Sequence, residues 1–371
     1  MPNIPNPSLG FFRVPTGAPK PGLDLVVEER PLNTDTPPQQ GFITRNVFSS
    51  LDPYMRGLLI GPDKTTYRPA FTLGEIISSA CIARVIASDH TDYPVGSLIQ
   101  ARLPLQEYSS ISPAYLSFIA PPKLLHNPHG RTDLRLFLGP LGMPGLTAFS
   151  SFYEICQPKP GETILISAAS SAVGSLVGQL AKREGMVVIG SVGSDDKVRY
   201  IVDELGFDCG FNHKTEDPSE ALKRLAPEGL DVYYDNVGGK QLEVAIDAMK
   251  NAGGRIAVCG MVSQYNVPNG QKYGVKNLFQ LVAKGIKMQG FKQQDRDFGP
   301  KWREEHQDKV GRWLSDGAIK AAIHESVGVH SAAGAFVDML EGRNFGKTVV
   351  KIHRGDDNMA VWKTGVYEGE G

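Results

Sequence analysis

The sequence predicts an α/β protein in which a doubly wound parallel sheet is inserted into a β-rich, partly open barrel. Three observations lead there. Up to about residue 137 the chain is rich in Pro and Gly and broken into short alternating runs such as "GFITRNVFSS" and "CIARVIASD", the texture of strands joined by turns. From Gly161 onward, apolar runs alternate with helix-length amphipathic stretches, the signature of βαβ units. After Phe291 a charged helical stretch, "KWREEHQDKVGRWLSDG", gives way to the strand-like "KTVVKIH", which reads as a return to the first domain. With 371 residues, two domains are expected, because single cores seldom grow beyond roughly 250 to 300 residues. The expected divisions are 1–138, 139–310 and 311–371.

In chain order, "YPVGSLIQARL" supplies a tight Pro/Gly turn feeding a barrel strand. The parallel strands are expected at Thr163–Ser167, Val187–Val192, Cys209–Phe211, Val232–Asp235, Arg255–Gly260 and Lys287–Gly290. Six strands suffice for a doubly wound sheet. The tail from Gly355 to Gly371, with its several Gly, Asp and Glu, reads as an exposed or loosely ordered end.

Charge and composition remove several function classes. With 39 basic and 40 acidic residues the formal charge is -1, so no field gathers nucleic acid or an acidic membrane surface. The start, "MPNIPNPSLGFF", lacks a basic n-region, and no run reaches the roughly 20 apolar residues of a membrane span. A soluble, cytoplasmic protein is expected. Cys81, Cys156, Cys209 and Cys259 lie far apart and read as free thiols in strands or helices.

The stretch "LISAASSAVGSLVGQLAKREG" carries the first chemical signal. A dinucleotide turn runs G-x-G-x-x-G after the first strand. Here those places fall on Ala169, Ser171 and Gly174, so only the third glycine survives. Ala and Ser are small, and a helix N-terminus favours phosphate through its free N–H groups and dipole. Taken alone, "SAASSAVG" reads equally well as the cap of a core helix.

The second strand separates these alternatives. An NAD site places an acid about 20 residues on, whereas an NADP site leaves room and positive charge for a 2′-phosphate. Here "VVIGSVGSDDKVRY" puts Gly193 and Ser194 at the strand end and Lys197 in the next helix, with Asp195 and Asp196 suited to that helix's first turn. A lone lysine is commonly just solvated. Together with the preceding turn, the pattern favours NADP.

Other chemistries are disfavoured. The eight histidines show no H-E-x-x-H and no pairing with cysteine, and "LGEIISSACIARV" has no His beside Gly74 and Glu75, so no catalytic zinc site is expected. No Tyr is followed four residues later by Lys, and neither a G-x-S-x-G elbow nor a G-x-x-x-x-G-K-[ST] loop occurs.

Five blocks in order, "SLDPYMRG" (Ser50–Gly57), "LGMPGLTAF" (Leu141–Phe149), "DNVGG" (Asp235–Gly239), "CGMVSQYN" (Cys259–Asn266) and "GRNFGKTVVK" (Gly342–Lys351), are spread over most of the chain. They resemble the zinc-independent medium-chain dehydrogenase/reductases of the leukotriene B4 dehydrogenase, prostaglandin reductase and alkenal double-bond reductase branch. The resemblance implies a Rossmann domain inserted in a GroES-like catalytic domain, NADPH as cofactor, and a homodimer. It also implies reduction of a carbon–carbon double bond conjugated to a carbonyl. By matching position, Gly174 with Ser170, Ser171, Ala172 and Val173 would meet the pyrophosphate, and Lys197 with Gly193 and His213 the 2′-phosphate end. Met143, Asn236, Cys259 and Asn344 would line the nicotinamide half. Tyr265 would lie beside the substrate carbonyl, and Tyr54 would line the pocket from the catalytic domain. Two departures stand out: Ser171 replaces the inner glycine of the family turn, and His213, in "NHKT", replaces a tyrosine.

The implied mechanism sends hydride to the β-carbon of an enone or enal, with Tyr265, a ribose hydroxyl or water stabilising the enolate. The alternatives are a quinone reductase, a specialised biosynthetic enzyme, or a non-catalytic NADPH-binding protein on the same scaffold. The pocket walls are expected from loops such as "GPDKTTYRPAF" and "KQQDRDFGPKW".

Overall fold

The computed structural model describes residues 3–125, 133–251 and 253–353. The tail expectation, and the histidines at 126 and 129, lie outside these.

The first part of the chain is antiparallel. Strands β1 (Pro7–Phe11) and β2 (Leu25–Glu29) pair with each other. Next come β3 (Phe42–Ser50), β4 (Ser78–Ser88), β5 (Leu98–Pro104), β6 (Tyr108–Ile111) and the short β7 (Lys123–Leu124). Burial along β5 alternates residue by residue, the period-2 pattern of a strand with one wet face. Offsets in the β3–β4 ladder at Ile43/Thr44 and Asn46/Phe48 bend the sheet. Helix α1 (Pro113–Phe118) is capped by the Ser112 hydroxyl. The last two strands, β14 (Ile323–Val327) and β15 (Lys347–Lys351), join this same sheet, β15 against β3, after the long excursion.

Between them lies a six-stranded parallel sheet: β8 (Thr163–Ser167), β9 (Val187–Val192), β10 (Cys209–Asn212), β11 (Val232–Asp235), β12 (Arg255–Val258) and β13 (Lys287–Gly290). Its order is β10-β9-β8-β11-β12-β13, the doubly wound arrangement. The inner strands are apolar on both faces because both are covered, whereas the edge strand β13 is exposed. Ile164, Ile166, Val188 and Tyr234 pack into one core, while Leu165, Ile189, Tyr233 and Ile256 pack into another. Strand β12 ends two residues short of Gly260. The amides of Cys259 and Gly260 both turn to the carbonyl of Asp235, at 2.8 and 3.0 Å, and leave the ladder. Cys259 therefore stands in a loop rather than in a strand.

The helices are α2 (Met143–Ser151), α3 (Gly174–Arg183), α4 (Asp195–Arg199), α5 (Pro218–Leu225), α6 (Gly239–Ala248), α7 (Gln280–Ala283), α8 (Gly299–Ser315) and α9 (Ala332–Leu340). Helix α8 packs on α2. His306 on α8 reaches the Pro140 carbonyl at 2.8 Å, and Trp302 donates to Glu154 at 2.7 Å while its ring stacks on Tyr153. Among the described residues no helix is long and apolar enough to cross a membrane.

Candidate functional site

Strand order reverses between β8 and β11, so the loops at their carboxyl ends diverge and leave a crevice. Asp235 ties its floor together. Its Oδ1 accepts from the Tyr233 hydroxyl and from the amides of Val237 and Gly238, and burial raises its pKa against those bonds. Beside it, Asn236 donates its backbone N–H to the Ser167 hydroxyl at 2.9 Å and its side-chain amide to the Ser167 carbonyl at 2.7 Å. Above this floor opens a cavity of about 600 Å³.

The turn after β8 explains which glycine survived. Ala168 takes a left-handed φ of 49°, and a Cβ on Gly174 would stand 2.4 Å from the Ala168 carbonyl oxygen. Only glycine fits there. Ser171 needs no glycine conformation, and its hydroxyl accepts the Gly174 N–H at 3.1 Å, capping the start of α3. Ser170, Ser171, Ala172 and Val173 line the cavity, whereas Gly174 lies beneath them, outside its wall. The Ser170 carbonyl accepts from Gly346 N–H at 2.9 Å, which ties the turn to the segment entering β15.

At the Gly193 end the cavity is cationic. Lys197 is 6% exposed and so is not a solvated helix residue. The Ser194 hydroxyl caps its backbone N–H, while its ammonium donates to the Gly342 carbonyl at 2.6 Å and sits 5.3 Å from the Phe345 ring. Burial, and then the charge of Lys214, lower its pKa. His213 lines the same wall; burial, with Lys214 and Lys197 nearby, lowers its pKa and favours the neutral ring. Asp195 and Asp196 turn elsewhere, to Asn212 and Arg199. Lys214 was not singled out in the sequence, although it directly follows His213.

The other end is aromatic. Tyr265 and Tyr54 both line it, with Met143, Asn236, Cys259 and Asn344. The Tyr265 hydroxyl oxygen accepts from Met261 N–H at 3.5 Å, a bond that leaves its own proton uncommitted. Burial raises the pKa of Tyr265, and burial together with the Asp52 charge pushes Tyr54 up to about 12, so both phenols are protonated at neutral pH. Burial likewise pushes the Cys259 thiol up to about 12. The two named loops do supply walls: Tyr67 and Arg68 from one, Lys292, Gln293 and Gln294 from the other, with Arg68 donating to Gln294 at 3.1 Å. The sequence did not single out the buried pair Lys347–Asp52, at 2.8 Å, which anchors the segment before Tyr54 to β15.

These groups fit a phosphorylated dinucleotide: a close-packed turn at a helix N-terminus for the pyrophosphate, and a lysine with two spare donors at the second strand's end. They do not assemble a metal site. Among the described residues no three His, Cys, Asp or Glu side chains gather as ligands.

Residues 11–119 match the family described as the N-terminal domain of oxidoreductase, and residues 172–305 the family described as zinc-binding dehydrogenase. The NADP-dependent oxidoreductase RED1 of Cochliobolus heterostrophus is 50% identical over 348 residues, spanning 94% of this chain and 97% of that protein. The 2-alkenal reductase (NADP(+)-dependent) of Nicotiana tabacum is 40% identical over 342 residues, 91% of this chain and 95% of that one. The crystal structure of CurA in complex with NADPH from Vibrio vulnificus matches with a TM-score of 0.83 at 34% identity, over 94% of this chain and 99% of that one. The chain therefore belongs to the medium-chain dehydrogenase/reductase family, among its NADP-dependent oxidoreductases.

Proposed function

We propose that this chain uses NADPH to reduce the carbon–carbon double bond of an α,β-unsaturated ketone or aldehyde. The observation that carries the reading is one cavity with a cationic end and, at the other end, a half-buried protonated phenol, Tyr265, whose proton is free to donate. When bound, NADPH supplies hydride to the β-carbon. Negative charge then develops on the substrate carbonyl oxygen, to which the Tyr265 O–H would donate. Tyr265 or solvent protonates the α-carbon. Tyr54 lines the substrate pocket from the catalytic domain, Met143 lines the nicotinamide half, and the raised pKa keeps Cys259 a thiol, a poor nucleophile toward an electrophilic alkene.

Ser170 to Val173, over the Gly174 contact, take the pyrophosphate; Gly193, Lys197 and His213 take the 2′-phosphate; Asn236 and Asn344 take the nicotinamide half. The working division remains 1–138, 139–310 and 311–371, with a cytoplasmic location. We also place a second copy on β13, an open edge whose four residues are exposed beside Phe279 and Val282, each 76% exposed; sedimentation as a monomer would remove that assignment.

The test is consumption of NADPH by purified protein with 2-alkenals, enones and quinones, with product analysis. A saturated carbonyl product supports the reading. Turnover of quinones alone points to a quinone reductase, and tight NADPH binding without turnover to a silent binder.

A further inference from the structure

Two sequence blocks hold, beside their tyrosines, a residue that the chemistry above leaves unused: Arg56 in "DPYMRG" and Asn266 in "SQYN". The structure joins them. Arg56 Nε donates to Asn266 Oδ1 at 2.9 Å, across from the antiparallel domain to the loop after β12. Because a guanidinium can only donate, the oxygen of the Asn266 amide must be the atom that faces it.

Arg56 as a residue is 8% exposed, and the other partners of its guanidinium are neutral carbonyls, Gly17 at 2.8 Å and Pro15 at 3.4 Å. Asp24 attracts it from nearby but is itself bonded to Arg13. A buried charge resting on neutral acceptors is costly unless the acceptors are held in place. Here it gathers three segments: Pro15–Gly17, the 3-10 turn Pro53–Leu58, and the loop carrying Asn266.

The placement matters because of what flanks each end. Arg56 follows Tyr54 by two residues in that turn, and Asn266 directly follows Tyr265. The Tyr54 turn is already fixed within its own domain by Asp52 and Lys347. The Tyr265 loop is fixed within its own domain through Val262 N–H to the Asn236 carbonyl and the Ser263 hydroxyl to Val237. Arg56–Asn266 bridges these two anchored bodies beside the cavity.

We propose that Arg56 and Asn266 are positioning residues: their hydrogen bond sets Tyr265 against Tyr54 across the cleft, so that the donor hydroxyl meets the substrate carbonyl. This rests on Tyr265 being that donor. A misplacement near 1 Å costs on the order of 100-fold in rate.

The test uses the full chain with NADPH and an enone, comparing Asn266→Ala, Asn266→Asp, Arg56→Met and the double variant Arg56→Met/Asn266→Ala. Asn266→Ala should lower kcat about 10- to 100-fold, with calorimetric NADPH affinity within about twofold. Asn266→Asp keeps an acceptor and should recover most of the rate. The double variant should be no slower than its slower parent, since each single change already breaks the Arg56–Asn266 bond. Backbone amides of residues 261–267 should exchange hydrogen faster in Asn266→Ala than in wild type or Asn266→Asp. Wild-type kcat in Asn266→Ala, an equal loss in Asn266→Asp, or multiplying losses in the double variant would overturn the proposal. Should Arg56→Met fail to fold, the Asn266 variants decide alone. A wild-type chain that reduces no enone defeats the functional reading, whereas unchanged exchange in Asn266→Ala defeats the bridge by itself.

Discussion

Replacing Lys197 by Met removes the ammonium that sits 5.3 Å from the Phe345 ring and keeps an unbranched apolar stem. The lysine ammonium has three donors, and the bond to the Gly342 carbonyl uses one. Two therefore remain for a 2′-phosphate, which carries about 1.5 to 2 negative charges near neutral pH. A hydrogen bond to a charged group contributes about 1.5 to 3 kcal/mol. Lys214 and His213 stay on the same wall and hold part of the attraction, so the lower half of that range applies. At about 1.4 kcal/mol per tenfold, NADPH affinity should fall roughly 10- to 50-fold. NADH lacks the phosphate, and its affinity should change less than about twofold, within the usual independence of separate contacts. Isothermal titration of wild type and Lys197→Met with both cofactors measures the two losses side by side. Equal weakening of NADPH and NADH would refute the assignment, because the lysine would then be acting on the turn or the loop at Gly342 and not on the phosphate.

Two further outcomes follow from the same geometry. Tyr265→Phe should lower kcat about 100-fold, the scale of losing one donor to a developing oxyanion, while NADPH affinity by calorimetry stays unchanged; a fully active Phe variant would move the donor role to ribose or water. His306 is fully buried, its Nε2 at the Pro140 carbonyl and its Nδ1 beside Gln307, and burial lowers its pKa from 6.5 to about 4. The unfolded chain takes up this proton more readily than the folded one. Its contribution is therefore intact above pH 6.5 and is lost as pH falls from 6.5 towards 4, by about 3 kcal/mol in all at 1.36 kcal/mol per pKa unit. Urea unfolding at pH 7 and pH 4.5 should show a smaller acid loss in His306→Gln than in wild type, and identical slopes would exclude this histidine as the source.

The parallel sheet is legible in the sequence because the faces of its inner strands are covered, which makes each of those a short apolar run between helical stretches. Where the structure ends a strand earlier than the apolar run suggests, the cause is local: one carbonyl, on Asp235, captures the amides of both Cys259 and Gly260. The phosphate turn was harder to read, because the sequence pattern asks for glycine at three places while the backbone demands it at one. A Cβ at Gly174 collides with Ala168, whereas Ser171 is accommodated and uses its hydroxyl as a cap. Lys197 shows the converse limit. A lysine in the first turn of a short helix looks solvated on paper, and only the loop from Gly342 to Phe345, some 145 positions later in the chain, buries it. The same holds for Arg56 and Asn266, 210 positions apart. No periodicity or spacing rule relates residues whose meeting depends on how the antiparallel domain closes over the carboxyl ends of the parallel one. Side chains set by one strand and the turn after it can be read locally, and those that bridge the cleft cannot. That is why the five blocks point to the two tyrosines but hold no sign of the bond between the segments that carry them.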